Sequence, residues 1–113
     1  MQIKTVQVTV DDFSKPNSSC TLTASCKATF TGNLISAAVA FQGWQVSFGS
    51  DKDHMVRRSG ANIYDVKVIS GSKLKDPHVE FSVSLTLKDG SGNMIDRSDS
   101  WATVLVMAET QSF

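Results

Sequence analysis

The feature that most constrains this chain is alternation with a period of two. In VEFSVSLTLK the apolar residues Val79, Phe81, Val83, Leu85 and Leu87 hold the odd positions, and Glu80, Ser82, Ser84, Thr86 and Lys88 hold the even ones. Successive side chains of an extended strand point to opposite faces, so this pattern puts one face in a core and the other in water. The same grammar runs from Cys20 to Phe30, with Leu22, Ala24, Cys26 and Ala28 between them and Thr, Ser and Lys on the opposite phase. It also runs through Val6, Val8 and Val10. Thr-rich solvent positions and β-branched core positions both suit a half-buried strand.

Punctuation divides these runs. The stretch DDFSKPNSS is a loop with Pro16 and Asn17 as breakers, and Thr31-Gly32-Asn33 is a compact turn. Ile35, Ala37, Val39 and Phe41 alternate on odd positions, but Trp44, Val46 and Phe48 alternate on even ones. The parity flips at Gln42-Gly43, which predicts a β-bulge or a strand that passes from one sheet to another. His54–Arg58 reads as a short edge strand, Ser59–Asn62 as a turn and Tyr64–Val68 as a further strand. Asp89–Asn93 reads as a hairpin loop, followed by a short strand at Met94–Asp96. Trp101–Met107 is apolar on both faces, as a central strand is. About eight strands with no defensible helix predict one all-β domain over residues 1–113, an antiparallel β-sandwich with a jelly roll as one arrangement. A small closed barrel is the alternative.

The two cysteines fit the same pattern. On one continuous strand, residues six apart are separated by about 20 Å, whereas a disulfide needs Cα atoms within about 7 Å. Cys20 and Cys26 therefore read as free thiols in the core.

Charge excludes some partners. The chain has 11 basic and 11 acidic residues and no formal net charge. It lacks the electrostatic footprint of nucleic-acid binding. Weak self-repulsion favours self-association, so a homo-oligomer is expected. With 41% hydrophobic and 19% charged residues, the composition is that of a soluble, folded domain. No apolar run is long enough for a membrane-spanning helix. The start, MQIKTVQVTVDD, lacks the basic and then apolar regions of a secretory leader. A cytoplasmic location is the expectation, with secretion without a cleaved signal, or a leader removed upstream, as alternatives.

No catalytic motif stands out. The only candidate bases of the imidazole type are His54 and His78, and no G-x-S-x-G elbow occurs. His78, after Pro77, reads as solvent-facing. A non-enzyme with no cofactor and no metal is expected. Asp89–Asn93 has a superficial calcium-loop spacing, but the positions that require Gly and Glu hold Met94 and Ser100. The densest polar stretch is Ser50-Asp51-Lys52-Asp53-His54, which directly follows WQVSFG. It is either a solvated loop or a ligand contact. As a contact, Asp51 and Asp53 would accept hydroxyl hydrogen bonds, His54 and Arg58 would donate, and Trp44 would stack on a sugar ring. Trp44 and Trp101 each lie at a strand boundary, where core and surface placements are both open.

The ten residues SWATVLVMAE, Ser100–Glu109, resemble the Trp-containing closing strand of invertebrate H-type lectins, which are short soluble β-sandwiches. The likeness is confined to that segment and carries no binding residues over. The sequence thus points to lectin-like recognition of carbohydrate or another ligand, or of a protein, through loops at one end of the fold. The alternative is a structural subunit of a homo-oligomer such as a capsid, a tail or a secreted multimer.

Overall fold

The computed structural model describes residues 1–49, 55–71 and 76–112. Among them are six strands and no helix: β1 (Gln2–Val10), β2 (Thr21–Thr29), β3 (Asn33–Gln45), β4 (Val56–Ile69), β5 (His78–Asp89) and β6 (Trp101–Gln111). They form two antiparallel three-stranded sheets, ordered β1-β6-β3 and β2-β5-β4. The strands β3 and β4 have 13 and 14 residues. At about 3.3 Å per residue such strands span about 46 Å, which accounts for the elongated 54 × 21 × 18 Å envelope.

The period-two pattern decides what is buried. On β5, Val79, Phe81, Val83 and Leu85 are buried, and the residues between them are not. On β6, Ala102, Val104, Val106 and Ala108 are buried in the same way. These residues join Leu22, Ala28, Phe30 and Leu34 in one apolar cluster fed by both sheets. Each fully buried Val, Leu or Phe contributes about 1.5–3 kcal/mol through water released from its surface.

Several local expectations change. There are six described strands where about eight are expected from the turn signals. Ser59, Gly60, Ala61 and Asn62 do not turn; they face Leu87, Thr86, Leu85 and Ser84 in one long β4–β5 ladder. The continuous twelve-residue partner supplies backbone hydrogen bonds that outweigh local turn propensity. Met94–Asp96 is loop, and Asp89–Asn93 does not make a hairpin, because β5 and β6 belong to different sheets. The parity flip at Gln42-Gly43 is a β-bulge, seen as a register shift between Phe41 and Gly43 against β6.

Cys20 precedes β2 with φ of 56° and does not extend the strand. It is buried with its sulfur 3.6 Å from Met94 Sδ, and both thiols are free. Cys26 is only half-buried, beside the gap between β1 and β2; burial still pushes its thiol pKa up. His78 shares the outward phase of Glu80, but its side chain is only 15% exposed, with Nε2 3.0 Å from Glu80 Oε1.

Candidate functional site at the three-loop end

The topology gathers three connections at one end. The described stretches 11–20, 46–49 and 90–100 all lie where β1, β3 and β5 finish and β2, β4 and β6 begin. The opposite end carries the β2–β3 turn and the β4–β5 connection.

At this end the chain leaving β3 is locked to the chain entering β6. Asp96 N donates to Ser47 O at 2.7 Å. Ser100 Oγ donates to Asp96 O at 2.7 Å and accepts from Ser47 N at 3.2 Å. Ser47 Oγ donates to Asp99 Oδ2 at 2.7 Å and accepts from Gly49 N at 2.9 Å. Gln45 Nε2 donates to Asp99 O at 2.9 Å. Buried Ile95 anchors the loop from below. Gly49 has φ of 73°, and a Cβ there would collide with the Asp96 carboxylate. Only glycine meets both demands.

Asp96 is the hub of its own turn. Its Oδ1 accepts from Ser98 Oγ at 2.7 Å and from Ser98 N at 2.9 Å. These bonds favour the ionised form and hold its pKa below the usual carboxylate range. A second carboxylate, buried Asp89, accepts from Ser91 N and Asn93 N at 3.0 Å each, and from Asn93 Nδ2 at 2.6 Å. These bonds fix the described part of the β5–β6 loop from within.

Two indoles flank this network. Trp44 faces Ala102 in the β3–β6 register, and Trp101 faces Gln45, so the two rings leave opposite sides of the same sheet end. Trp44 is 50% exposed and Trp101 39% exposed. Trp44 is braced by Phe41, with ring centroids 5.2 Å apart and planes tilted by 56°. Both indoles are surface groups, which resolves the choice the sequence leaves open.

The sequence-derived set is Trp44, Asp51, Asp53, His54 and Arg58. Asp51, Asp53 and His54 lie outside the described residues; in chain order they fall between Gly49 and Met55. Arg58 is at the start of β4, exposed, on the solvent face of the second sheet. Trp44 and Arg58 thus occupy the same end of the molecule but different faces. Arg58 stands directly opposite Lys88, a like-charge pair that costs stability at a cross-strand position. Sequence reading missed Gln45, Ser47, Asp96, Asp99 and Ser100. The available signal was the run DRSDS, rich in residues that cap their own turns.

Among the described residues, no group of three or more His, Cys, Asp or Glu side chains is arranged to hold a metal. No described helix is long and apolar enough to cross a membrane. Comparison with known proteins returns no match among family models, curated proteins or solved structures.

Proposed function

We propose that the two sheets close as a β-sandwich and that this domain is a non-enzymatic, lectin-like recognition module. Its ligand is a carbohydrate, met at the three-loop end. The observation that carries this reading is the pair of half-exposed indoles, Trp44 and Trp101, beside a pre-ordered Ser/Asp loop network. A sugar ring needs a flat apolar face to stack on and fixed polar groups to meet its hydroxyls. Fixed loops lose little entropy on binding.

Trp44 is the stacking platform. Asp51, Asp53 and His54 supply hydroxyl contacts from the connection between β3 and β4, and Arg58 contributes from the start of β4. The like-charge Arg58–Lys88 pair favours an acidic group on the ligand, which would offset that repulsion. A cytoplasmic site of action and the lack of a resident cofactor are part of the same reading.

The test is a glycan array with neutral and acidic members, probed with the intact chain, Trp44→Ala and Arg58→Ala. Retention of an acidic glycan is expected, weakened about tenfold by Trp44→Ala, the size of a lost aromatic contact of about 1.4 kcal/mol. No retained glycan, or retention unchanged by Trp44→Ala in a folded variant, would overturn the proposal.

A second reading, a structural subunit of a homo-oligomer, is favoured by the outer face of the β1-β6-β3 sheet. There Ile3 is 71% exposed and Met107 40% exposed, beside Ala38 and Ala40. Glu109 is its one charged residue within the paired registers. Depletion of charge with exposed apolar residues is typical of the centre of an interface.

A further inference from the structure

Of the four outer strands, three are interrupted or partly covered along their edges. In β3 the ladder slips between Leu34 and Ser36 and again between Phe41 and Gly43. In β4 it slips between Val56 and Arg58 and between Tyr64 and Lys67, and Asp65 takes a left-handed φ of 53°. Bulges twist an edge away from a new partner. The edge of β2 is regular but covered over its first half: Ser14 N donates to Thr23 O at 3.0 Å, and Asn17 N to Thr21 O at 3.2 Å.

The remaining strand, β1, differs from these. It pairs with β6 over nine residues without a slip. Among the described residues its backbone makes no hydrogen bond on the other side. Its one charge, Lys4, is at the start of the strand, where Nζ donates to Thr31 O at 2.8 Å and to Thr31 Oγ1 at 2.7 Å. From Thr5 to Val10 there is no charge, no proline and no bulge. Val6 and Val8 face the core side and are only partly buried. Beside them, between β1 and β2, a gap of about 170 Å³ is lined by Val8, Val10, Ala24 and Cys26, with Asp11, Asp12 and Lys27 at its rim.

We propose that β1 is the self-association edge of this protein, pairing antiparallel with β1 of a second copy about a twofold axis at Gln7. The proposal rests on the homo-oligomer reading but places the contact on the β1 edge instead of the outer sheet face. The sequence of the strand is complementary to itself in that register. Val6 faces Val8 of the second copy on the core side, and Thr5 faces Thr9 on the solvent side. Such β-branched and Thr–Thr cross-strand pairs are favourable. Lys4 faces Val10 with Asp12 on the diagonal, so opposite charges meet at both ends. The zero net charge of the chain opposes none of this. The product is a continuous six-stranded sheet that covers the half-buried valines of both copies.

The test is solution mass by light scattering on the intact chain across a wide concentration range, with fold checked by circular dichroism. In the twofold register, exposed Gln7 meets Gln7. Gln7→Lys and Gln7→Glu should each give a twofold drop in mass, and mixing the two variants should restore it. Met107→Lys, on the sheet face, should leave the mass unchanged. An oligomer that survives both Gln7 variants but is lost in Met107→Lys overturns the edge while homo-oligomerisation stands. A monomer at every concentration overturns both.

Discussion

The two sheets share one core and present different outer faces. On the β2-β5-β4 sheet the solvent side is a field of hydroxyls, with Thr23, Ser25, Ser82, Ser84 and Thr86 on β2 and β5, and Thr21 and Thr86 hydroxyls 2.8 Å apart. Lys27, Arg58, Lys67 and Lys88 lie on that side, with Glu80 and, at the β4 bulge, Asp65 as carboxylates. On the β1-β6-β3 sheet the central strand instead carries Trp101, Leu105 and Met107 outward, beside Ala38 and Ala40. The inward faces of β5 and β6 are nearly interchangeable in pattern. Alternation therefore establishes which side folds the protein, and the residues on the other phase determine what each sheet meets. One outer face is rich in hydroxyls and charge, and the other is largely apolar.

The hardest way to break this comparison is to charge the shared core from each side. Val83→Asp on β5 and Val104→Asp on β6 should both unfold the domain, since both positions are fully buried. An unpaired buried charge costs several kcal/mol, on the order of total stability. Circular dichroism of the purified variants is the check. If one were tolerated, the two sheets would not contribute equally to one core.

A smaller loss is expected at the loop end. Ser100→Ala removes the buried hydroxyl that accepts from Ser47 N and donates to Asp96 O. Leaving such groups unsatisfied costs about 1–3 kcal/mol, which a lowered urea midpoint at unchanged slope would show. On the outer faces, Met107→Lys and Ser25→Lys should each change unfolding stability by no more than about 0.5 kcal/mol, measured with the protein dilute. A large effect from either would mean that the face is not free in the single chain.

The gentlest perturbation is acid. The carboxyl of Asp96 has a folded-state pKa below its unfolded value of about 3.9. Its contribution is therefore in place above about pH 3.9 and is lost as pH falls through the folded value. In an amide-resolved titration, Ser98 N–H should shift at a pH below that of an unperturbed aspartate. A Ser98 transition at or above the ordinary value would contradict the bonds to Asp96 Oδ1.

Much of the fold was legible because the strands are half-buried. Val79–Leu87 states its inward phase residue by residue, Leu22, Ala24 and Ala28 do so on β2, and the bulge at Gly43 is visible as a parity change. What was not legible depends on partners. Ser59–Asn62 reads as a turn until β5 lies beside it, and Asp89–Asn93 reads as a hairpin because sequence does not say that β6 joins the other sheet. At the site, Trp44 was singled out from its place beside Gly43. The Ser47–Asp96–Asp99–Ser100 network joins residues about fifty positions apart in sequence, and no local pattern announces such a pairing.

The most direct test of the recognition reading uses the two tryptophans, the only two in the chain. Collisional quenching of tryptophan emission by acrylamide in the native protein, with and without the oligosaccharide selected on the array, reports on both at once. Emission that is readily quenched in the free protein and shielded on addition of the oligosaccharide is the predicted result. Quenching unchanged by saturating oligosaccharide would contradict a binding site at Trp44 and Trp101, and emission inaccessible to quencher from the outset would contradict their place on the surface.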